Sequence, residues 1–315
     1  MKSKLVVFIL LATTLSLSAQ WKPAGDRLKT RWASQIDVDN VLPEYPRPIM
    51  ERSQWENLNG LWDYAILPVG KQTPTSFDGK ILVPFAVESS LSGVQKRLGS
   101  ENELWYQREF TVPSNWKNNR ILLHFGAVDW KADVWVNDVK VGQHTGGYAP
   151  FSFDVTPALK SGANKMIVKV WDGTDQGYQP RGKQVNNPHG IWYTPVSGIW
   201  QTVWMEPVPE KYIENVKITP DIDKNIINVE AFINQPASSD RIEVKVMEGS
   251  RVVATGQSIN NQPVEVSMPT NPRLWSPNDP FLYDLEVTVF NGSKQLDKVK
   301  SYTAMRKYST KRDDK

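Results

Sequence analysis

The chain of 315 residues and 35.8 kDa is long enough for two domains, each with a sizeable core, and short for three. Lysine plus arginine exceeds aspartate plus glutamate by only 37 − 34 = 3, which argues against a nucleic-acid surface or a polybasic membrane patch. With no cysteine there can be no disulfide, thiolate nucleophile or zinc-thiolate site. The three histidines, His124, His144 and His189, are too scattered for a short metal motif, so no cofactor or metal is expected.

Taken in order, Met1 to Lys4 carry two lysines, Leu5 to Leu17 are almost all apolar, and Leu17-Ser18-Ala19 ends on a small residue. That layout is a secretory signal peptide over residues 1–19, too short in its apolar run to stay as a membrane anchor. The mature chain is therefore expected to be exported, to the periplasm or beyond the cell.

From Leu61 onward nearly every patterned segment reads as a strand: β-branched and aromatic residues bounded by Gly, Pro, Asn or Asp. Strands are expected at Leu61 to Ile66, Ile81 to Phe85, Leu104 to Val112, Arg120 to Phe125, Ala132 to Val136, Phe151 to Val155, Lys165 to Trp171 and Ile199 to Glu206. Asn137-Asp138 signals a tight hairpin between Val134-Trp135-Val136 and Val139-Lys140-Val141. About eight strands of this kind suit a double-sheet jelly roll over residues 20–209. Twelve of the 13 tryptophans fall at or before Trp204, so a domain boundary is expected near Pro207 and Pro209. Beyond it the runs shorten and alternate, as in Ile242-Glu-Val-Lys-Val246 and Leu285-Glu-Val-Thr-Val289. Seven such strands over residues 210–303 describe an immunoglobulin-like sandwich without its disulfide. The fold class is all-β.

Chemistry-bearing motifs are sparse. Gly177-Tyr-Gln-Pro-Arg-Gly-Lys183-Gln184 nearly matches a phosphate-binding loop. Gln184 stands where a hydroxyl must meet magnesium, and Val185-Asn-Asn-Pro188 cannot readily continue the helix such a loop opens, so nucleotide binding is rejected. No Gly-x-Ser-x-Gly elbow is present. The long irregular stretch from Asp172 to Tyr193 mixes aromatics with donors and acceptors, the chemistry a polyol needs. Asp172, Lys183, His189, Trp192 and Tyr193 are its candidate carbohydrate-binding residues. Contact with a ligand, docking of another domain and simple packing remain open for this loop, which is expected to be loosely ordered by itself. Asp172 and Asp175 read as turn formers rather than paired acids. Trp135 is either an exposed sugar platform or part of a second packed face, the latter being favoured.

Several segments, read together and in order, resemble the N-terminal part of glycoside hydrolase family 2, the group of β-galactosidases, β-glucuronidases and β-mannosidases. They are Tyr45-Pro-Arg-Pro48, Trp55-Glu-Asn-Leu-Asn-Gly-Leu-Trp62, Val83-Pro-Phe-Ala-Val-Glu-Ser89, Trp105-Tyr-Gln-Arg-Glu-Phe110 and Gly126-Ala-Val-Asp-Trp-Lys-Ala-Asp-Val-Trp-Val-Asn137. Gly146-Gly-Tyr-Ala-Pro-Phe151, Ser197-Gly-Ile-Trp-Gln-Thr-Val203, Leu274-Trp-Ser-Pro277 and Pro280-Phe-Leu-Tyr-Asp-Leu285 complete the set. The resemblance implies a jelly-roll sugar-binding domain and an immunoglobulin-like domain, followed by a catalytic β/α barrel that supplies two glutamates about 5 Å apart. Met305-Arg306-Lys307 resembles the strand leading into that barrel, within a lead-in of residues 304–315. A barrel needs about 250 residues, and 315 − 303 = 12 follow Thr303. The barrel, missing or separate, is therefore an expected partner, together with a carbohydrate, and no catalytic residue is assigned to this chain. Pro188-His189-Gly190 departs from the acidic, cation-binding stretch of β-galactosidases, and Gln201 stands where many members have arginine. The expected function is the non-catalytic N-terminal portion of an exported family 2 β-glycosidase. The alternative is a free-standing exported carbohydrate-binding protein.

Overall fold

Side chains alternate between the two faces of a strand, and the chain exploits this throughout. In Asp240–Glu248 the residues Asp240, Ile242, Val244 and Val246 are buried while those between them are half exposed. The computed structural model describes residues 21–313 apart from Arg27. The expected signal peptide, residues 1–19, lies outside the described residues.

Twelve strands build the first unit. They are β1 (Glu56–Asn57), β2 (Gly60–Pro68), β3 (Gly79–Val83), β4 (Asn102–Thr111), β5 (Arg120–Phe125) and β6 (Val128–Asp129). There follow β7 (Lys131–Val136), β8 (Val139–Thr145), β9 (Phe151–Asp154), β10 (Ala163–Trp171), β11 (Gly198–Ile199) and β12 (Val203–Val208). A four-stranded sheet in the order β1-β12-β5-β9 faces a six-stranded sheet in the order β3-β2-β4-β10-β7-β8, with β11-β6 as a small third ladder. Every pairing between these strands is antiparallel, for example Trp204↔His124 and Ile167↔Trp135, and this is the jelly roll. Between the sheets lie Trp62, Tyr106, Phe125, Leu104, Leu123 and Met166, all essentially inaccessible. The Trp62 indole donates to the Leu58 carbonyl at 2.8 Å, so the core holds an aromatic without stranding its polar handle.

The hairpin at Asn137-Asp138 forms with both residues at positive φ, 49° and 68°, as a two-residue turn matched to strand twist requires. The single strand expected from Ile199 to Glu206 is instead broken. Trp200 and Gln201 both donate their N–H groups to Ala127, and Gly126 donates to Thr202, so the chain leaves β6 and re-enters beside β5. The break lets one segment serve two sheets.

The second unit holds β13 (Ile213–Asp221), β14 (Ile226–Ile233), β15 (Asp240–Glu248), β16 (Arg251–Ile259), β17 (Val264–Ser267), β18 (Tyr283–Asn291) and β19 (Lys294–Thr303). Sheets β13-β14-β17 and β16-β15-β18-β19 enclose an aliphatic core of Val229, Ile242, Val244, Leu285, Val287 and Val289, giving the immunoglobulin-like sandwich. Tyr283 is the only aromatic among that cluster's buried residues. Met305, expected in the lead-in, is wholly buried in this same core.

A segment that precedes the first sandwich in sequence is bound to the second in space. Met50 packs into the aliphatic core, and Glu51 exchanges two backbone hydrogen bonds with Lys300. Arg52, 7% exposed, grips both carboxylate oxygens of buried Asp297 at 2.5 and 2.8 Å and also donates to the Ile213 carbonyl. Glu206 on the outer face of β12 joins the same junction. Arg47 lies 2.7 Å from its carboxylate, His124 3.2 Å and Arg52 3.7 Å, and Tyr45 donates to it at 2.9 Å. Burial alone would raise the Glu206 carboxyl, but His124 and the two guanidinium charges outweigh it and bring its pKa down to about 2.

Candidate carbohydrate-contacting site

The long connection between β10 and β11 is built from its two ends inward. Asp172, the first residue after β10, accepts from the Thr174 N–H at 2.7 Å and hydroxyl at 3.0 Å, forming an Asx turn. Its second oxygen also accepts from the Ser197 hydroxyl at 2.8 Å, so one carboxylate ties the loop's start to its finish. Within the loop, Asp175 accepts from the Asn186 side chain at 2.5 Å, Gln179 donates to the Thr174 carbonyl, and Arg181 to that of Asp175. Tyr193 donates to the Lys183 carbonyl and accepts from the Val185 N–H, closing a subloop over residues 183–193. The loop is thus internally pinned rather than slack, because Asp172, Asp175 and Gln179 turn inward and satisfy its backbone.

The five expected residues fall into two places. Lys183, His189, Trp192 and Tyr193 share the subloop. Tyr193 is 64% exposed, Lys183 and His189 are exposed, and Trp192 is half-buried. His189 stays near the tip, its Nδ1 2.7 Å from the Asn187 carbonyl. Asp172 is not with them. It is 2% exposed and committed to Thr174 and Ser197 at the loop's base.

Around that base the fold gathers acids that the sequence reading did not single out. Glu88, from the turn after β3, accepts from the Ser197 N–H at 2.9 Å and the Leu98 N–H at 3.4 Å. Asp129 ends β6 and is 4% exposed. Burial, then the neighbouring charges of Asp172 and Glu88, raise the Asp129 carboxyl to about 7. Burial raises Glu88 to about 7 against the pull of its backbone donors. Tyr106 sits beneath, its hydroxyl accepting from the Ile199 N–H at 3.1 Å. Nothing in local spacing reveals this cluster, since Glu88 and Asp172 lie on two separate connections and Asp129 on a strand between them in sequence. No group of three or more His, Cys, Asp or Glu among the described residues has the geometry to hold a metal ion.

Two surface clefts lie on the jelly roll, and neither is lined by residues 183–193. One of about 720 Å³ runs between the N-terminal arm and the four-stranded sheet, past Tyr45, Arg47, His124, Tyr148, Trp200 and Trp204. The other, of about 490 Å³, lies on the outer face of the six-stranded sheet under Tyr178. Trp135 is no free platform. It stacks on Trp105 at 6.1 Å with the planes 20° apart, in a small second core with Ala65 and Ile167.

Two family models match in tandem: the sugar binding domain of glycosyl hydrolases family 2 over residues 94–209, and a further glycosyl hydrolases family 2 model over residues 211–306. The chain belongs to glycoside hydrolase family 2. A β-glucuronidase of Paenibacillus borealis is 23% identical over 274 residues, covering 80% of this chain and 45% of the relative. A β-galactosidase of Thermoanaerobacter pseudethanolicus is 28% identical over 222 residues, covering 67% of this chain and 29% of the relative. Among solved structures, a β-glucuronidase of Ruminococcus gnavus in complex with C6-substituted uronic isofagomine superposes with a TM-score of 0.65 at 21% identity, over 84% of this chain and 47% of that one. This last likeness concerns the fold. The family 2 segment described here thus spans less than half the length of each of these relatives, and the described residues include a sugar-binding jelly roll and an immunoglobulin-like sandwich but no β/α barrel.

Proposed function

We propose that this chain supplies the carbohydrate-positioning part of an exported retaining β-glycosidase acting on β-glucuronides. The ordered pair of family 2 matches at residues 94–209 and 211–306 carries this reading. In such an enzyme the paired glutamates belong to a β/α barrel, while the 183–193 subloop of this chain forms one wall of the substrate pocket. Trp192 and Tyr193 offer ring faces to the sugar, and His189 and Lys183 offer polar contacts, the Lys183 ammonium suiting a uronate. Buried Asp172, Glu88 and Asp129 hold the subloop's base in place. Glucuronides are favoured because several of the similar proteins carry the name β-glucuronidase. Export rests on the layout of residues 1–19.

The reading frame past codon 315 tests this directly. The expected result is a continuing or frame-shifted barrel-coding sequence, whose restored product hydrolyses nitrophenyl β-glucuronide and loses at least tenfold in kcat/KM on Tyr193→Ala. An unrelated downstream sequence, or a restored enzyme indifferent to the subloop, would contradict it.

A further inference from the structure

The outward-facing side chains of the six-stranded sheet line up in register across four strands. Lys169 on β10 stands beside Trp105 of β4 and Asp133 of β7, and Asp133 beside Gln143 of β8. The groove of about 490 Å³ opens over this row, within the roughly 300–1,000 Å³ typical of small-ligand clefts.

Its wall is aromatic and braced. Trp130 meets Trp171 at 6.0 Å and Tyr178 at 6.5 Å, both edge to face. The Trp171 indole is fixed by a 2.8 Å hydrogen bond to the Ser100 carbonyl. Tyr178 projects from the long loop with 95% of its surface exposed, a large apolar ring held in water beside a cleft.

The floor is charged, and its carboxylates are buried. Glu103 and Asp133 are 6% and 7% exposed, and the Lys169 ammonium spans them at 3.1 and 3.5 Å. Lys140 holds the other Asp133 oxygen at 2.6 Å. These ion pairs fix the carboxylates in place yet leave acceptor capacity on each. The lining itself is balanced, two acids, Glu103 and Asp133, facing two lysines, Lys131 and Lys169, and the Lys140 charge beside it is paired with Asp133.

A pyranose has apolar C–H faces for aromatic stacking and vicinal hydroxyls that bridge a carboxylate and an ammonium. We propose that this groove is a second saccharide site, binding a neutral pyranose chain between the Trp130–Trp171–Tyr178 wall and the Glu103–Lys169–Asp133 floor. It is separate from the 183–193 subloop and does not depend on the glycosidase reading. Because Trp130 and Trp171 are already braced, little side-chain ordering opposes binding.

The test is affinity electrophoresis of the full chain through native gels containing galactomannan, xyloglucan or laminarin, with polygalacturonate as the charged comparison. Retardation by at least one neutral polysaccharide is expected, with the apparent Kd weakened about tenfold by Tyr178→Ala and at least as much by Trp130→Ala. Tyr308→Ala, an exposed aromatic beyond the last strand of the second sandwich, should leave migration unchanged. Tyr178 is 95% exposed and has no side-chain hydrogen bond to a described residue, so its removal keeps the test independent of folding even if Trp130→Ala destabilises the sheet. Three results would overturn the proposal: no retardation in any neutral gel, retardation by polygalacturonate alone, or retardation that survives Tyr178→Ala but is abolished by Tyr193→Ala.

Discussion

Replacing Asp129 with asparagine removes an ionisation that the folded chain resists. The carboxyl titrates near 7 in place, against 3.8 when free, so between those values the folded state holds a proton that the unfolded state has released. Stability therefore falls as pH rises from about 4 to about 7 and levels off above. At pH 8 the cost of the group is about 4 kcal/mol, 1.36 for each unit between 3.8 and 7; at pH 5 it is about 1.6 kcal/mol. Asparagine keeps the shape and carries no charge. Asp129→Asn is thus expected to stabilise the chain more at pH 8 than at pH 5, by about 2.5 kcal/mol. Urea unfolding followed by tryptophan fluorescence at the two pH values measures the difference. An equal effect at both, or a net loss at pH 8, would refute the reasoning, because it would mean that Asp129 is solvated or neutralised by a partner.

Three further outcomes follow from other parts of the molecule. Arg52→Leu leaves Asp297 buried without its guanidinium and should cost about 3–5 kcal/mol in denaturant unfolding; a cost below 1 kcal/mol would show that water reaches the junction. Gly198→Ala should destabilise by more than 2 kcal/mol, because its φ of 90° suits glycine and an added methyl would fall 2.1 Å from the Tyr106 hydroxyl. Hydrogen exchange should find the amides of Thr174 and Ser197 strongly protected and those of Asn187 to Ile191 fast, since the former are hydrogen-bonded at the loop's base; uniform fast exchange across residues 172–197 would show the loop to be unpinned.

Much of the fold was legible because strand periodicity is local. The Asn137-Asp138 hairpin, the Arg120 to Phe125 strand and the alternating runs of the second sandwich all declare themselves within a few residues. Two strands of that sandwich, β16 and β19, did not. Arg251–Ile259 has hardly any buried face, and Lys294–Thr303 turns Asp297, Val299, Ser301 and Thr303 inward, three of them polar, between exposed Lys298, Lys300 and Tyr302, so neither reads as an apolar run. The break at Trp200 to Thr202 is set by pairing with Ala127 and Gly126, partners some 75 positions away. The site was legible only as a loop. Its residue types pointed to a polyol, but that Asp172 turns inward depends on Ser197, 25 residues later, and the Glu88–Asp129–Asp172 cluster exists only once three distant segments converge. Likewise Tyr178 reads in sequence as one aromatic among several; the groove beneath it is made by strands far from it.

The central claim is that this chain holds and positions carbohydrate while the bond-breaking carboxylates lie elsewhere. Release of nitrophenol from aryl β-glucuronide, β-galactoside and β-mannoside by the purified chain, Gln20 to Lys315, tests it most directly. The account predicts rates indistinguishable from buffer with all three substrates, whereas turnover that co-purifies with the protein and scales with its concentration would contradict it.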